Sequence, residues 1–135
     1  MVSMETESET KNSPQAPTAS ILIVDDETDI LNLFRELLSR QGYSVFTAES
    51  GEEALEILNR HSVDLLLADL KMPGLNGFRL IQQVRRNFPS VQVVVMTGFG
   101  QQVLPLVQEL GVEHFLVKPV EFSALLNMIR QLVRR

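Results

Sequence analysis

Short aliphatic runs alternate five times with longer stretches of helical periodicity from Ser20 onward. That alternation predicts an α/β domain on a parallel sheet. The runs fall at residues 21–24, 43–48, 64–68, 91–96 and 113–117. The third, led by three leucines, is too short and too uniformly apolar for an amphipathic helix, so it reads as a strand buried on both faces. The second is mixed, placing Tyr43, Val45 and Thr47 on one side and Ser44, Phe46 and Ala48 on the other, which suits a sheet edge.

The intervening segments carry helix signals. Residues 28–40 put Ile30, Phe34, Leu37 and Leu38 on one face, and Gly42 stops that helix. Ser50 and Glu53 form a capping-box pair ahead of a helix running to about His61 and burying Ala54, Ile57 and Leu58. After the turn at Pro73 and Gly74, Phe78, Ile81, Val84 and Phe88 recur at helical spacing, and Pro89 closes that segment. A fourth helix, about residues 101–110, contains Pro105, which is tolerated only in a first turn. It is therefore expected to be short, late-starting or kinked. Phe122, Leu125, Leu126, Ile129, Leu132 and Val133 stripe the last helix.

With 135 residues the chain accommodates one domain with a substantial core. Residues 1–19, rich in Ser, Thr, Glu and Pro, are expected to be a disordered tail, leaving 20–135 as the folded unit. The absence of Cys excludes disulfides and thiolate metal ligands and suits a reducing cytoplasm. A net charge of −5 disfavours direct nucleic-acid binding. No apolar run approaches the ~18 residues of a membrane helix, so no membrane partner is expected.

In open parallel sheets, ligands bind beyond the carboxyl ends of the strands. The first strand ends in Asp25, Asp26 and Glu27, the third in Asp69, the fourth in Thr97 and the fifth in Lys118. Carboxylates converging there repel one another by roughly 4 kcal/mol per pair at 4 Å and an effective dielectric near 20. A cation relieves that repulsion, and an all-oxygen donor set favours Mg²⁺. Lys118 adds fixed positive charge and Thr97 a hydroxyl, a set suited to a phosphoryl group, with Asp69 as its nucleophile.

Taken in order, the acidic pair Asp25 and Asp26, the turn Asp69, Met72, Pro73 and Gly74, then Gly77, Thr97, and the dipeptide Lys118 and Pro119 make this chain resemble response-regulator receiver domains of two-component signalling. The resemblance spans about Ser20 to Arg134 and implies a doubly wound five-stranded parallel sheet of order 2-1-3-4-5 with five helices, a flavodoxin-like three-layer sandwich. It also implies roles. Asp69 is the expected phosphoacceptor, fed by a sensor histidine kinase or phosphotransfer protein. Asp25, Asp26, Asp69 and the carbonyl of Lys71 would hold Mg²⁺. Lys118 would neutralise phosphoryl oxygens, Thr97 would move to bond one of them, and Phe115 stands at the switch aromatic. The bond from Lys118 to Pro119 is expected to be cis. Output is expected through the face of the fourth helix, fifth strand and fifth helix, to an output domain, a protein partner or a second copy in a homodimer.

Some residues depart from the usual pattern or vary within it. Phe99 and Lys71 flank the acceptor and are expected to exclude water and prolong the phosphorylated state. Pro105 and Val112 are unusual for the output face. Among rivals, a haloacid-dehalogenase phosphohydrolase needs Asp where Glu27 stands, and a nucleotide carrier needs a Gly-rich loop that no residue run after the first strand supplies. A receiver-like docking module acting without phosphorylation remains the alternative. His61 and His114 are read as structural or exposed.

Overall fold

The computed structural model describes residues 18–70, 76–98 and 104–133. The expected N-terminal tail, apart from its last two residues, lies outside them. So do Lys71, Met72, Pro73, Gly74 and Phe99.

Five strands, β1 (Ser20–Val24), β2 (Ser44–Ala48), β3 (Leu65–Asp69), β4 (Gln92–Thr97) and β5 (His114–Val117), form one sheet. Its order is β2-β1-β3-β4-β5 and every pairing is parallel, as the resemblance implied. The helices are α1 (Thr28–Arg40), α2 (Gly51–Arg60), α3 (Gly77–Asn87), α4 (Leu104–Glu109) and α5 (Phe122–Leu132).

Strand alternation divides the interior into two cores. On one face Leu22, Val24, Leu66, Ala68, Val93 and Val95 pack with Ala54 and Leu58 of α2, Leu80, Ile81 and Val84 of α3, and Val107 of α4. On the other, Ile21, Ile23, Leu65, Leu67, Val94 and Met96 pack with Leu31, Phe34 and Leu38 of α1 and Leu125 and Ile129 of α5. The central strands are thus buried on both sides, which is why their sequences are continuous rather than alternating. β2 lies at the edge and is half-buried, with Phe46 joining the first core and Tyr43 and Val45 the second.

Several details refine the sequence reading. In α1 the fully packed face carries Leu31 with Phe34 and Leu38, while Ile30 and Leu37 sit at its margin. Gly42 takes a φ of 96°, where a side chain would be strained, and lets the chain leave α1 for β2. The Ser50 side chain accepts the Glu53 N–H, but Glu53 Oε1 accepts from Glu49 at 2.7 Å, one residue ahead of the N-cap. Leu80, absent from the expected α3 stripe, is fully buried, whereas Phe78 and Phe88 are half-buried. Pro105 lies in the first turn of the six-residue α4. β3 and β4 each begin and end one residue later than expected, so Asp69 and Thr97 are the last residues of their strands.

Candidate phosphoacceptor site

β1 and β3 are neighbours with Val24 opposite Ala68, so Asp25 and Asp69 stand level at the end of the sheet. In the next pairings Asp69 faces Met96, and Thr97 faces Val117. Lys118 therefore leaves β5 just beyond Thr97, and its N–H donates to the Thr97 carbonyl at 2.8 Å. The alternation also sets sides: Asp25 and Asp69 follow Ile23 and Leu67 by two, and Lys118 follows Leu116 by two, all on the α1 and α5 face. Thr97 follows Val95 by two on the opposite face, where Phe115, paired with Val95, also packs.

The Lys118 side chain reaches back across the end of β4. Its Nζ donates to Asp25 Oδ2 at 2.6 Å and to Asp69 Oδ2 at 3.0 Å, with Glu27 Oε1 at 3.4 Å. Asp25 is fully buried, and its Oδ1 accepts the Glu27 N–H at 2.9 Å. Both of its oxygens are thereby occupied, which is what makes so buried a carboxylate tolerable. Burial alone would lower the pKa of Lys118, but hydrogen bonds to Asp25 and Asp69, reinforced by their charges, raise it above the ordinary lysine value. The ammonium is therefore a permanent charge at this edge.

Asp25, Asp26 and Asp69 bring carboxylate oxygens within 4.8 Å of one another. Asp69 and Thr97 are buried and Asp26 is exposed. An all-oxygen donor set with one side open to water fits a hard divalent cation that retains part of its hydration shell. Lys71, expected to add a carbonyl, lies outside the described residues. Gly77 lies against the end of β3, its N–H donating to the Leu70 carbonyl at 3.2 Å. A Cβ at Gly77 would meet the Asp69 carbonyl oxygen and come within 2.6 Å of Leu70 Cα, so only glycine lets α3 start this close to β3.

Residues 21–130 match the response regulator receiver domain family. The chain belongs to that family. It is 40% identical over 113 residues to the transcriptional regulatory protein GlrR of Escherichia coli, covering 82% of this chain and 25% of GlrR. It thus spans about a quarter of that relative's length. Sporulation initiation phosphotransferase F of Bacillus subtilis is 32% identical over 114 residues, covering 82% of this chain and 90% of the relative. Among solved structures, the Thermotoga maritima response regulator TrrA in complex with Mg²⁺-BeF superposes with a TM-score of 0.78 at 29% identity, covering 86% of this chain and 100% of that one. The Vibrio cholerae chemotaxis response regulator CheY4 gives 0.80 at 27% identity, covering 87% and 100%.

Receiver domains are signalling domains of two-component response regulators, and accepting a phosphoryl group is general to them. The acidic cluster here and the Mg²⁺-BeF complex of TrrA agree with divalent-metal binding as a property of such domains. The Lys118–Pro119 bond is cis, as the resemblance implied. Glu27 is the contact the sequence did not announce. Its place next to the acidic pair was visible, but its reach to a lysine 91 residues away was not.

Proposed function

We propose that this chain accepts a phosphoryl group on Asp69 from a phosphohistidine of a sensor histidine kinase or phosphotransfer protein, and that residues 20–135 are the unit that does so. The observation that supports this most is the placing of Asp69 Oδ2 3.0 Å from the Lys118 ammonium while its carboxylate also gathers with those of Asp25 and Asp26.

The chemistry asked of the chain is an in-line displacement. A carboxylate oxygen of Asp69 forms a bond to phosphorus as the bond from phosphorus to the donor imidazole nitrogen breaks, and that nitrogen keeps the electron pair. Lys118 turns N–H donors toward the phosphoryl oxygens, already charged before the donor arrives. Thr97 offers its hydroxyl to one oxygen. Asp25, Asp26 and Asp69 would hold Mg²⁺, with the Lys71 carbonyl as a further ligand on the strength of the resemblance. When bound, that ion supplies the extra positive charge that a phosphoryl group beside three carboxylates requires.

The signal then has a route. Thr97 and Phe115 share a sheet face, Phe115 sits one strand over, and the neighbouring surface of α4 and β5 exposes Leu106 and Val117. Drawing Thr97 toward the phosphoryl group biases the packing of Phe115, and with it the surface offered by α4, β5 and α5. An output domain, a protein partner or a second copy would read that surface. The reading needs no direct contact with nucleic acid or membrane, and among the described residues no helix is long and apolar enough to cross a bilayer. A cytoplasmic address suits it, the chain having no Cys.

Incubation with acetyl phosphate and Mg²⁺ followed by intact mass tests the reading. Wild type should gain one phosphoryl group and Asp69→Ala none. No gain on wild type, or equal gain on the variant, would favour a docking module that acts without phosphorylation.

A further inference from the structure

Glu27 is the residue from which α1 begins, yet its side chain makes no capping bond to that helix. Asp25, two residues earlier, serves the helix start instead, its Oδ1 accepting the Glu27 N–H at 2.9 Å. The Glu27 carboxylate turns to the sheet edge, where Oε1 lies 3.4 Å from Lys118 Nζ. An ammonium has three N–H donors, and the carboxylates of Asp25, Asp69 and Glu27 are all placed to engage them.

We propose that Glu27 is a positioning residue that competes for Lys118 and thereby slows phosphoryl transfer to Asp69. The proposal rests on the phosphoacceptor reading above. For transfer, Lys118 must give N–H donors to phosphoryl oxygens, so each carboxylate that holds it elsewhere opposes the reaction. Asp25 and Asp69 belong to the acidic trio and have another positive charge to turn to when a cation is present. Glu27 lies outside that trio, so its claim on Lys118 persists. With its side chain 62% exposed, the pair is well solvated. Its release should therefore change the rate by about three- to five-fold, not by orders of magnitude.

The test measures the rate of acetyl phosphate labelling in Mg²⁺ by intact mass, with circular dichroism confirming the fold of each variant. Glu27→Gln should label about three- to five-fold faster than wild type. Glu27→Asp, which keeps the charge but shortens the reach, should also be faster. In a Lys118→Met background, assayed at higher acetyl phosphate, Glu27→Gln should change the rate by less than about two-fold, because the partner it competes for is gone. A Glu27→Gln rate at or below wild type overturns the proposal. So does a wild-type rate for Glu27→Asp, which would assign the effect to distant charge, or equal acceleration with and without Lys118. Unlabelled wild type, or labelled Asp69→Ala, removes the phosphoacceptor reading and this inference together. Normal labelling of wild type alone, with unresponsive Glu27 variants, removes only this inference.

Discussion

Lys118 brings positive charge to an acidic site. The oxygens it bonds, Asp25 Oδ2 and Asp69 Oδ2, belong to two of the three residues placed to hold a cation. Replacing it with Met leaves the fully buried Asp25 carboxylate without its counter-charge, and we expect Lys118→Met to lose about 3 kcal/mol of stability in the absence of Mg²⁺. The same variant should bind Mg²⁺ about ten-fold more tightly, since an ammonium no longer contends for those oxygens. Urea unfolding and calorimetric Mg²⁺ titration check both, and weaker Mg²⁺ binding by the variant would contradict the competition. The pH behaviour follows from the raised pKa. Because Lys118 titrates higher in the folded chain than its ordinary value of 10.5, its stabilisation is complete below that value and is lost only as the pH rises through the raised one. Any pH dependence of labelling near neutrality must therefore come from other groups. At this scale the sequence was informative where a charged residue interrupts an apolar run, as at Asp25, Asp69 and Lys118. It could not disclose the Glu27 contact, which depends on how far one side chain extends across two loops.

The elements were legible to the degree that one physical cause dominated each. β3 is recognisable because burial on both faces leaves no room for polar residues ahead of Asp69, and Pro105 places itself in the first turn of α4 because no later position tolerates the missing N–H. The packed face of α1 was legible at Phe34 and Leu38, but Leu31 takes the buried place expected of Ile30, since both are aliphatic and the choice between them belongs to the sheet beneath. The reciprocal half of the capping box likewise shifted to Glu49, a matter of side-chain reach that residue type does not encode. Gly77 shows the opposite case, where sequence named the residue and structure supplied the reason. Its α-carbon is where α3 passes over the backbone of Asp69 and Leu70, and a methyl group there meets main chain rather than a yielding side chain. Gly77→Ala should destabilise the domain by about 3 kcal/mol and slow labelling of Asp69 as the end of β3 shifts. Thermal unfolding together with the acetyl phosphate assay checks it, and wild-type stability would show that α3 can tilt away without cost.

Across the whole molecule, the sheet order explains why chemistry appears at this end and nowhere else among the described residues. The order departs from sequence order at β1, which lies between β2 and β3, so the connections leaving β1 and β3 run to opposite faces and open a crevice between their carboxyl ends. Asp25 and Asp26 enter from one strand and Asp69 from its neighbour, and only the folded sheet brings them within 4.8 Å. An unfolded chain has no such cluster, so a cation that binds it binds the native state alone and must stabilise the domain as a whole. Mg²⁺ at a hundred times its dissociation constant should add about 2.7 kcal/mol to the unfolding free energy. The gain should be specific: NaCl at equal ionic strength should give little of it, and Asp26→Asn, which takes one carboxylate from the exposed side of the cluster, should lose most of it. Because the two cores share every central strand, the added stability should appear as one cooperative shift, with far-ultraviolet dichroism and Tyr43 fluorescence moving together. Tyr43 packs against the core beneath α1, away from the cluster at the strand ends. A Mg²⁺-induced rise seen by one probe and not the other would mean that the cation steadies only the loops around Asp69, and that the acidic cluster is not coupled to the sheet that assembles it.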